Sequence, residues 1–348
     1  MEDNKWEIIK RCSKIERMEK IPVALLDDSD WIPGYTGIST LDYYTIPEKW
    51  FNAQMQIRKD FPELISIPDL WVEFGMATEP SGFGCKFMFY KDNAPNIKPI
   101  INSADDIKLV DSIKSPNPKT DGLMPIVLNL YKNVCEKISS SGESIKIVAA
   151  RGPFTIASFI MGITEFLIAL KVYPEATRKL LSLTTNLSKN WLYAQLEILK
   201  EAEGIMILDD VVGFLSKEDY LEFGHNYLKE IFSSFPEFVK LYHNDNTNTV
   251  SFEFLEDLGV NILNFTYTQD ISKIKSLCGD KVCLMGNVPP VEVLGSGTPD
   301  LVKEEALKCL RVFKDNRGII LSAGGGVVPG TPKDNILALF EAIKSEKQ

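Results

Sequence analysis

The chain has 348 residues, 45% apolar and 25% charged, and its 48 Asp plus Glu outweigh 38 Lys plus Arg for a formal charge of -10. That is the composition of a soluble globular protein long enough to bury a large core, and its acidity disfavours nucleic acid and anionic membranes as partners. No run approaches the ~18 consecutive apolar residues of a membrane span. In chain order, residues 1–20 are charged and amphipathic and lack the apolar core of a signal peptide. Residues 22–26 predict a first strand. Residues 70–102 have strand chemistry at 70–75 and 87–90 around the turn-rich 79–84, which predicts a hairpin-like insertion. Beyond it, short apolar runs at 145–150, 205–208, 238–242, 262–267, 282–285 and 319–322 alternate with stretches of helical spacing. The stretch 173–202 is a long amphipathic helix. The helix 217–232 starts at the N-cap Ser216, with Asp219 three residues on. Thr298-Pro299 and Thr331-Pro332 open helices over 300–313 and 333–345, where proline's missing N–H costs nothing. Parallel strands need crossovers, so the class is α/β. At least seven units in one uninterrupted chain predict a single (β/α)8 TIM barrel over 1–348, with the insertion in the N-terminal third. Six scattered cysteines without a Cys-x-x-Cys pair predict a reduced, cytoplasmic protein, and the strand-like run around Cys283 marks it as a packed thiol.

In such a barrel the chemistry sits at the carboxyl ends of the strands. Those ends carry Arg151-Gly152-Pro153, Asp209-Asp210, His243-Asn244-Asp245, Gly286-Asn287 and Gly324-Gly325-Gly326. His243 is one of two histidines, and the other, His225, reads as a surface residue on a helix. Two apart on an extended chain, His243 and Asp245 point to the same side. That spacing suits two ligands of a metal such as zinc, or an acid–base pair, while a hydrogen-bonded structural histidine is the plain alternative. Of Asp209 and Asp210, one faces the axis and one braces the barrel. The triple glycine fails both nucleotide-loop patterns and instead allows close backbone approach. The candidate catalytic residues are His243, Asp245 and Asp210, and the candidates for substrate contact are Arg151, Asp209, Asn287, Tyr267 and Gly325.

The strand-end motifs resemble the uroporphyrinogen decarboxylase superfamily. They are Arg151-Gly152-Pro153-Phe154-Thr155-Ile156-Ala157-Ser158, Ile207-Leu208-Asp209-Asp210, Leu215-Ser216-Lys217-Glu218, Gly286-Asn287-Val288 and Gly297-Thr298-Pro299. The ending, Ser322-Ala323-Gly324-Gly325-Gly326-Val327-Val328-Pro329-Gly330-Thr331-Pro332, is closer to the corrinoid-dependent methyltransferase branch. The resemblance implies a (β/α)8 barrel and exchange of methyl groups with a corrinoid (cobalamin) held by a partner protein. The decarboxylases grip their polycarboxylate with an N-terminal arginine-rich motif. Here that stretch carries Asp27, Asp28, Ser29 and Asp30 and no arginine, and the whole chain has seven arginines. Like charges would repel such a substrate.

The zinc-dependent thiol methyltransferases of the branch use a His-x-Cys pair and a later Cys, which fall here on His243, Asp245 and Gly325. Two of the three positions differ, so the resemblance implies a zinc site rebuilt from His243, Asp245 and nearby acids, no metal, or a remodelled pocket. The changed positions imply a donor other than a thiol, and the related O-demethylase components suggest a methoxylated aromatic passing its methyl to a partner's Co(I) corrinoid. Trp71, Phe74, Met76, Phe83, Tyr242, Phe265 and Tyr267 would suit an apolar ring. Transfer from a methylated corrinoid to a pterin or thiol, and decarboxylation of uroporphyrinogen, are the alternatives.

Overall fold

Aliphatic runs too short for a stable helix and flanked by turn residues form the strands, in a computed structural model that describes residues 4–27, 30–313 and 315–346. Ten strands occur among the described residues: β1 (Ala24–Leu25), β2 (Ile65–Ser66), β3 (Lys86–Met88), β4 (Asn96–Lys98), β5 (Ile147–Arg151), β6 (Gly204–Leu208), β7 (Val239–Asn244), β8 (Ile262–Phe265), β9 (Cys283–Val288) and β10 (Ile319–Ala323). Six of them form a parallel ladder in the order β10-β9-β8-β7-β6-β5. The parallel pair β1–β2 joins its β10 edge through bridges Val23 to Leu321 and Leu26 to Gly326.

The α/β class with a parallel sheet is thus borne out, and eight parallel strands take part. No ladder pairs β2 with β5 among the described residues. Across that seam Ile65 and Ile147 share one interior cluster with Trp6, Ile9 and Cys12 of the helix Lys5–Ser13. The amphipathic N-terminal segment therefore plugs the end of the sheet opposite the candidate site, each large apolar side chain contributing roughly 1.5–3 kcal/mol by burial. Strand residues alternate between this interior (Leu208, Met285) and the layer facing the helices (Ile207, Leu263), which is why the strands read as continuous apolar runs. No single helix among the described residues is long and apolar enough to cross a membrane.

The region 70–102 departs from expectation. Residues 70–75 form no named strand, 78–82 form the short helix Thr78–Gly82, and the antiparallel pair is β3 with β4. Glu79 lies on that helix and turns its carboxylate inward, where it accepts the Arg151 N–H. Expected helix ends hold more closely. Ser216 Oγ accepts the Asp219 N–H at 3.1 Å and donates to the Asp219 carboxylate at 2.8 Å. The expected helix 217–232 runs from Lys217 to Ser233 but widens into a π-turn at Tyr220–Gly224, where a Cβ on Gly224 would lie 2.7 Å from the Tyr220 ring. Replacing Ser216 with alanine is expected to cost about 1 kcal/mol, read as a lower midpoint in denaturant with an unchanged slope. An unchanged midpoint would mean that the cap contributes nothing to stability.

Candidate active site

Strand register sets the level of each group. Arg151 pairs with Leu208, Leu208 with His243, His243 with Asn264 and Asn264 with Met285. Paired residues in a ladder share a face, and Leu208 and Met285 face the interior, so His243 and Asn264 do too. Two residues further along lie Asp210 and Asp245 at the rim.

His243 is 5% exposed. Its Nδ1 lies 2.7 Å from Asn264 Oδ1. Its Nε2 lies 3.6 Å from Asp210 Oδ1 and 4.0 Å from Asp245 Oδ2, too far for hydrogen bonds. The Asp245 backbone N–H donates to Asp210 Oδ1 at 3.0 Å, which fixes the two carboxylates relative to each other. Burial pushes the Asp210 carboxyl upward, the Asp245 charge adds to that, and His243 opposes it. A Cβ on Gly325, whose φ is +132°, would sit 3.2 Å from Asp245 Oδ2, so this glycine borders the same cluster. A Cβ on Gly324 would meet the Tyr267 backbone N at 2.4 Å, so that position requires glycine.

Asp209 is elsewhere. It is 0% exposed, and its carboxylate is taken up by the start of the helix Pro153–Met161. Phe154 N–H donates to it at 3.1 Å, and Thr155 donates both N–H and hydroxyl at 2.8 Å. The expectation that it touches substrate is corrected, because it is the brace and Asp210 is the partner that faces His243. Asn287 is also turned away from the mouth, donating to the Thr266 and Gln269 carbonyls and accepting from the Cys309 thiol. Arg151 is 5% exposed, ion-paired with Glu73 at 2.6 Å and laid 4.5 Å from the centre of the Trp71 ring. Its charge is thus matched inside the protein, on the same face of the sheet as Leu208 and His243. Tyr267 stays at the rim, 36% exposed, with its hydroxyl 3.4 Å from Glu292.

Three further expectations change. Phe74, Tyr242 and Phe265 are buried in the core, the latter two on the face of the sheet that meets the helices. His225 is a half-buried rather than a free surface residue, its Nε2 lying 2.7 Å from Asp257 and its Nδ1 3.2 Å from the Tyr220 hydroxyl. Asp27 is buried behind the sheet, where it accepts the Ser66 hydroxyl at 2.6 Å, while Asp28 and Ser29 lie outside the described residues. Asp30 lies within the fields of Glu73 and Arg151, and burial followed by Glu73 pushes its carboxyl upward. Sequence reasoning missed Asn264, Glu73 and Glu79. The signal for Asn264 was a lone polar residue in an otherwise apolar strand.

Burial pushes the carboxyls of both Asp27 and Asp209 up to about 7, against the hydrogen bonds they accept. Unfolded, they titrate at ~3.9. The native state then holds more protons, so their contribution to stability is complete below about pH 4 and is lost as the pH rises through about 7. The melting temperature is expected to fall between about pH 4 and about pH 7, and Asp27→Asn to flatten part of that fall. A slope unchanged by the substitution contradicts this.

Comparison with known proteins agrees with the strand-end motifs. The profile of the family described as Uroporphyrinogen decarboxylase (URO-D) matches residues 9–346. The uroporphyrinogen decarboxylase of Chlorobium luteolum is 31% identical over 180 residues, 50% of this chain and 50% of that protein, so the chain matches half the length of this relative. That of Chlorobaculum tepidum is 28% identical over 259 residues, 71% of each. Among solved structures, a methyltransferase from Methanosarcina mazei superposes with a TM-score of 0.83 over 100% of both chains at 21% identity, a likeness of fold. The chain belongs to the uroporphyrinogen decarboxylase (URO-D) family.

Proposed function

We propose that the protein is a corrinoid-dependent methyltransferase, moving a methyl group from a methoxylated aromatic to the Co(I) corrinoid of a partner protein. The observation that carries this reading is the convergence of Asp210, His243 and Asp245 at the rim, with their ligand atoms all within 4.8 Å of one another. One nitrogen and two carboxylate oxygens fit a divalent cation of intermediate hardness such as zinc, and these three residues would hold it. Bound there, such a cation supplies Lewis acidity to an ether oxygen.

The remaining chemistry falls to the chain. In the transfer the carbon–oxygen bond breaks with its electron pair left on oxygen, and the electron pair of the reduced corrinoid forms the cobalt–carbon bond. Phenoxide leaves poorly; where no cation occupies the triad, a proton held at His243 Nε2 between the two carboxylates assists departure in its place. Leu208 and Met285 fill the interior beside His243, at its own level on β6 and β9, which keeps water from that side. The positions that carry thiolates in the thiol-methylating relatives hold Asp245 and Gly325, which favours polarising an oxygen over activating a thiol.

Decarboxylation is the second reading, favoured by the names of the sequence relatives. Against it, the strand-end arginine is committed to Glu73, with Glu79 and Asp30 adding negative charge beside it. The test is to mix the protein with a reduced corrinoid protein and methoxylated aromatics and follow the absorbance change from Co(I) to the methylated corrinoid. The change is expected with at least one ether. No change with any ether, together with demethylation of the methylated corrinoid by a pterin, replaces this reading with the reverse transfer.

A further inference from the structure

Asn264 sits on β8 between His243 on β7 and Met285 on β9, as their register partner, and is 2% exposed. Its Nδ2 donates to the Met285 carbonyl at 2.8 Å and to the Ala323 carbonyl at 3.1 Å. Two carbonyls can only accept, so they fix which end of the amide is nitrogen. Turned over, the amide would set its oxygen against both carbonyls in a place where solvent offers no compensation. Asn264 Oδ1 is therefore the atom that meets His243 Nδ1 at 2.7 Å, and an oxygen acceptor at that distance requires Nδ1 to carry a proton.

We infer that Asn264 is a positioning residue that holds the ring proton of His243 on Nδ1, so that Nε2 is the atom offered to the rim. This deepens the proposed function and rests on His243 being the reacting or ligating group. The consequence lies on the other side of the ring. Asp210 Oδ1 already takes the Asp245 backbone N–H, and Nε2 and the two carboxylate oxygens are then all acceptors facing one another. Such a set of acceptors draws a cation, a proton or another donor in between its members. With the proton free to move to Nε2, the ring would donate to Asp210 and the triad would neutralise itself. Asn264 prevents that and keeps the cluster receptive. Outer partners of this kind fix tautomer and orientation in metal-binding histidines generally.

The chain's two histidines make the test direct. His225 has the opposite arrangement, Nε2 against the Asp257 carboxylate and Nδ1 against a hydroxyl, so it serves as an internal control. Histidine ring nitrogens are labelled with 15N and read by NMR at mildly alkaline pH, with and without added zinc. His243 is expected to show a protonated Nδ1 in both conditions, with zinc shifting Nε2, while His225 shows Nε2–H. A bare Nδ1 on His243 overturns the inference. A protonated Nδ1 with an Nε2 indifferent to zinc upholds it and counts against the metal reading instead, so the two fail separately. Asn264→Val is expected to release the proton to Nε2 and weaken zinc binding roughly 10- to 100-fold. A folded Asn264→Val protein that keeps Nδ1–H would also overturn the inference, and if that variant does not fold the wild-type spectrum decides alone.

Discussion

Replacing His243 with alanine is expected to lower methyl transfer to the reduced corrinoid by roughly 100- to 10,000-fold, the range over which a positioned acid or base contributes. The effect on stability is expected to be far smaller. The ring gives one hydrogen bond, to Asn264, and its other nitrogen makes no contact of hydrogen-bond length. The loss of that bond is worth ~1 kcal/mol, with some packing added. Rates measured beside denaturant midpoints separate the two. A variant that loses stability and activity in the same proportion would return His243 to a structural role. Asp210→Asn is expected to behave similarly, since Asp210 is about a third exposed and braces nothing except the Asp245 backbone.

Asp209→Ala is expected to give the opposite result, a loss of about 3–5 kcal/mol with the rim geometry spared wherever the protein still folds. Three donors at the start of the helix Pro153–Met161 would lose their acceptor: the N–H groups of Phe154 and Thr155 and the Thr155 hydroxyl. None of the three can reach solvent, because Phe154 and Thr155 are buried. The carboxylate also fills the space over Gly152, where a Cβ would come within 2.3 Å of it. Chemical denaturation of Asp209→Ala and Asp210→Asn side by side checks the assignment. Near-native stability in the first would mean that the helix start finds other acceptors and that Asp209 is available for another role.

Periodicity made the sheet legible from sequence. Runs such as 205–208 and 319–322 fell where β6 and β10 lie, because parallel strands buried on both faces are apolar throughout. The two-residue strand β2 was illegible, since Ile65–Ser66 is too short to carry a period. The segment 70–75 misled because Leu-Trp-Val-Glu-Phe-Gly has strand chemistry, while Glu73 is drawn to Arg151 and the backbone never joins a ladder.

At the site, adjacency of Asp209 and Asp210 at a strand end sufficed to predict opposite faces, but which faced the mouth depended on the helix start that one of them caps. Arg151 and Asn287 looked like ligand contacts because strand-end polar groups in barrels of this kind usually meet substrate. Their partners, Glu73 and the Thr266 and Gln269 carbonyls, are distant in sequence or on backbone atoms that composition does not reveal. Asn264 was hidden for the same reason.

The acidity that first disfavoured nucleic acid has a sharper meaning around the strand ends. Asp30, Glu73, Glu79, Asp210 and Asp245 lie there against the one guanidinium of Arg151, which is already paired. A substrate rich in carboxylates would meet repulsion, whereas a neutral ether would not. Transfer of a methyl group, rather than decarboxylation, is therefore tested most directly by offering the same preparation two substrates in parallel: uroporphyrinogen alone, and a methoxylated aromatic with a reduced corrinoid protein. Methylated corrinoid and the demethylated phenol are expected in the second arm, and no carbon dioxide in the first. Release of carbon dioxide from uroporphyrinogen, with no methylation of the corrinoid, would contradict the proposed function.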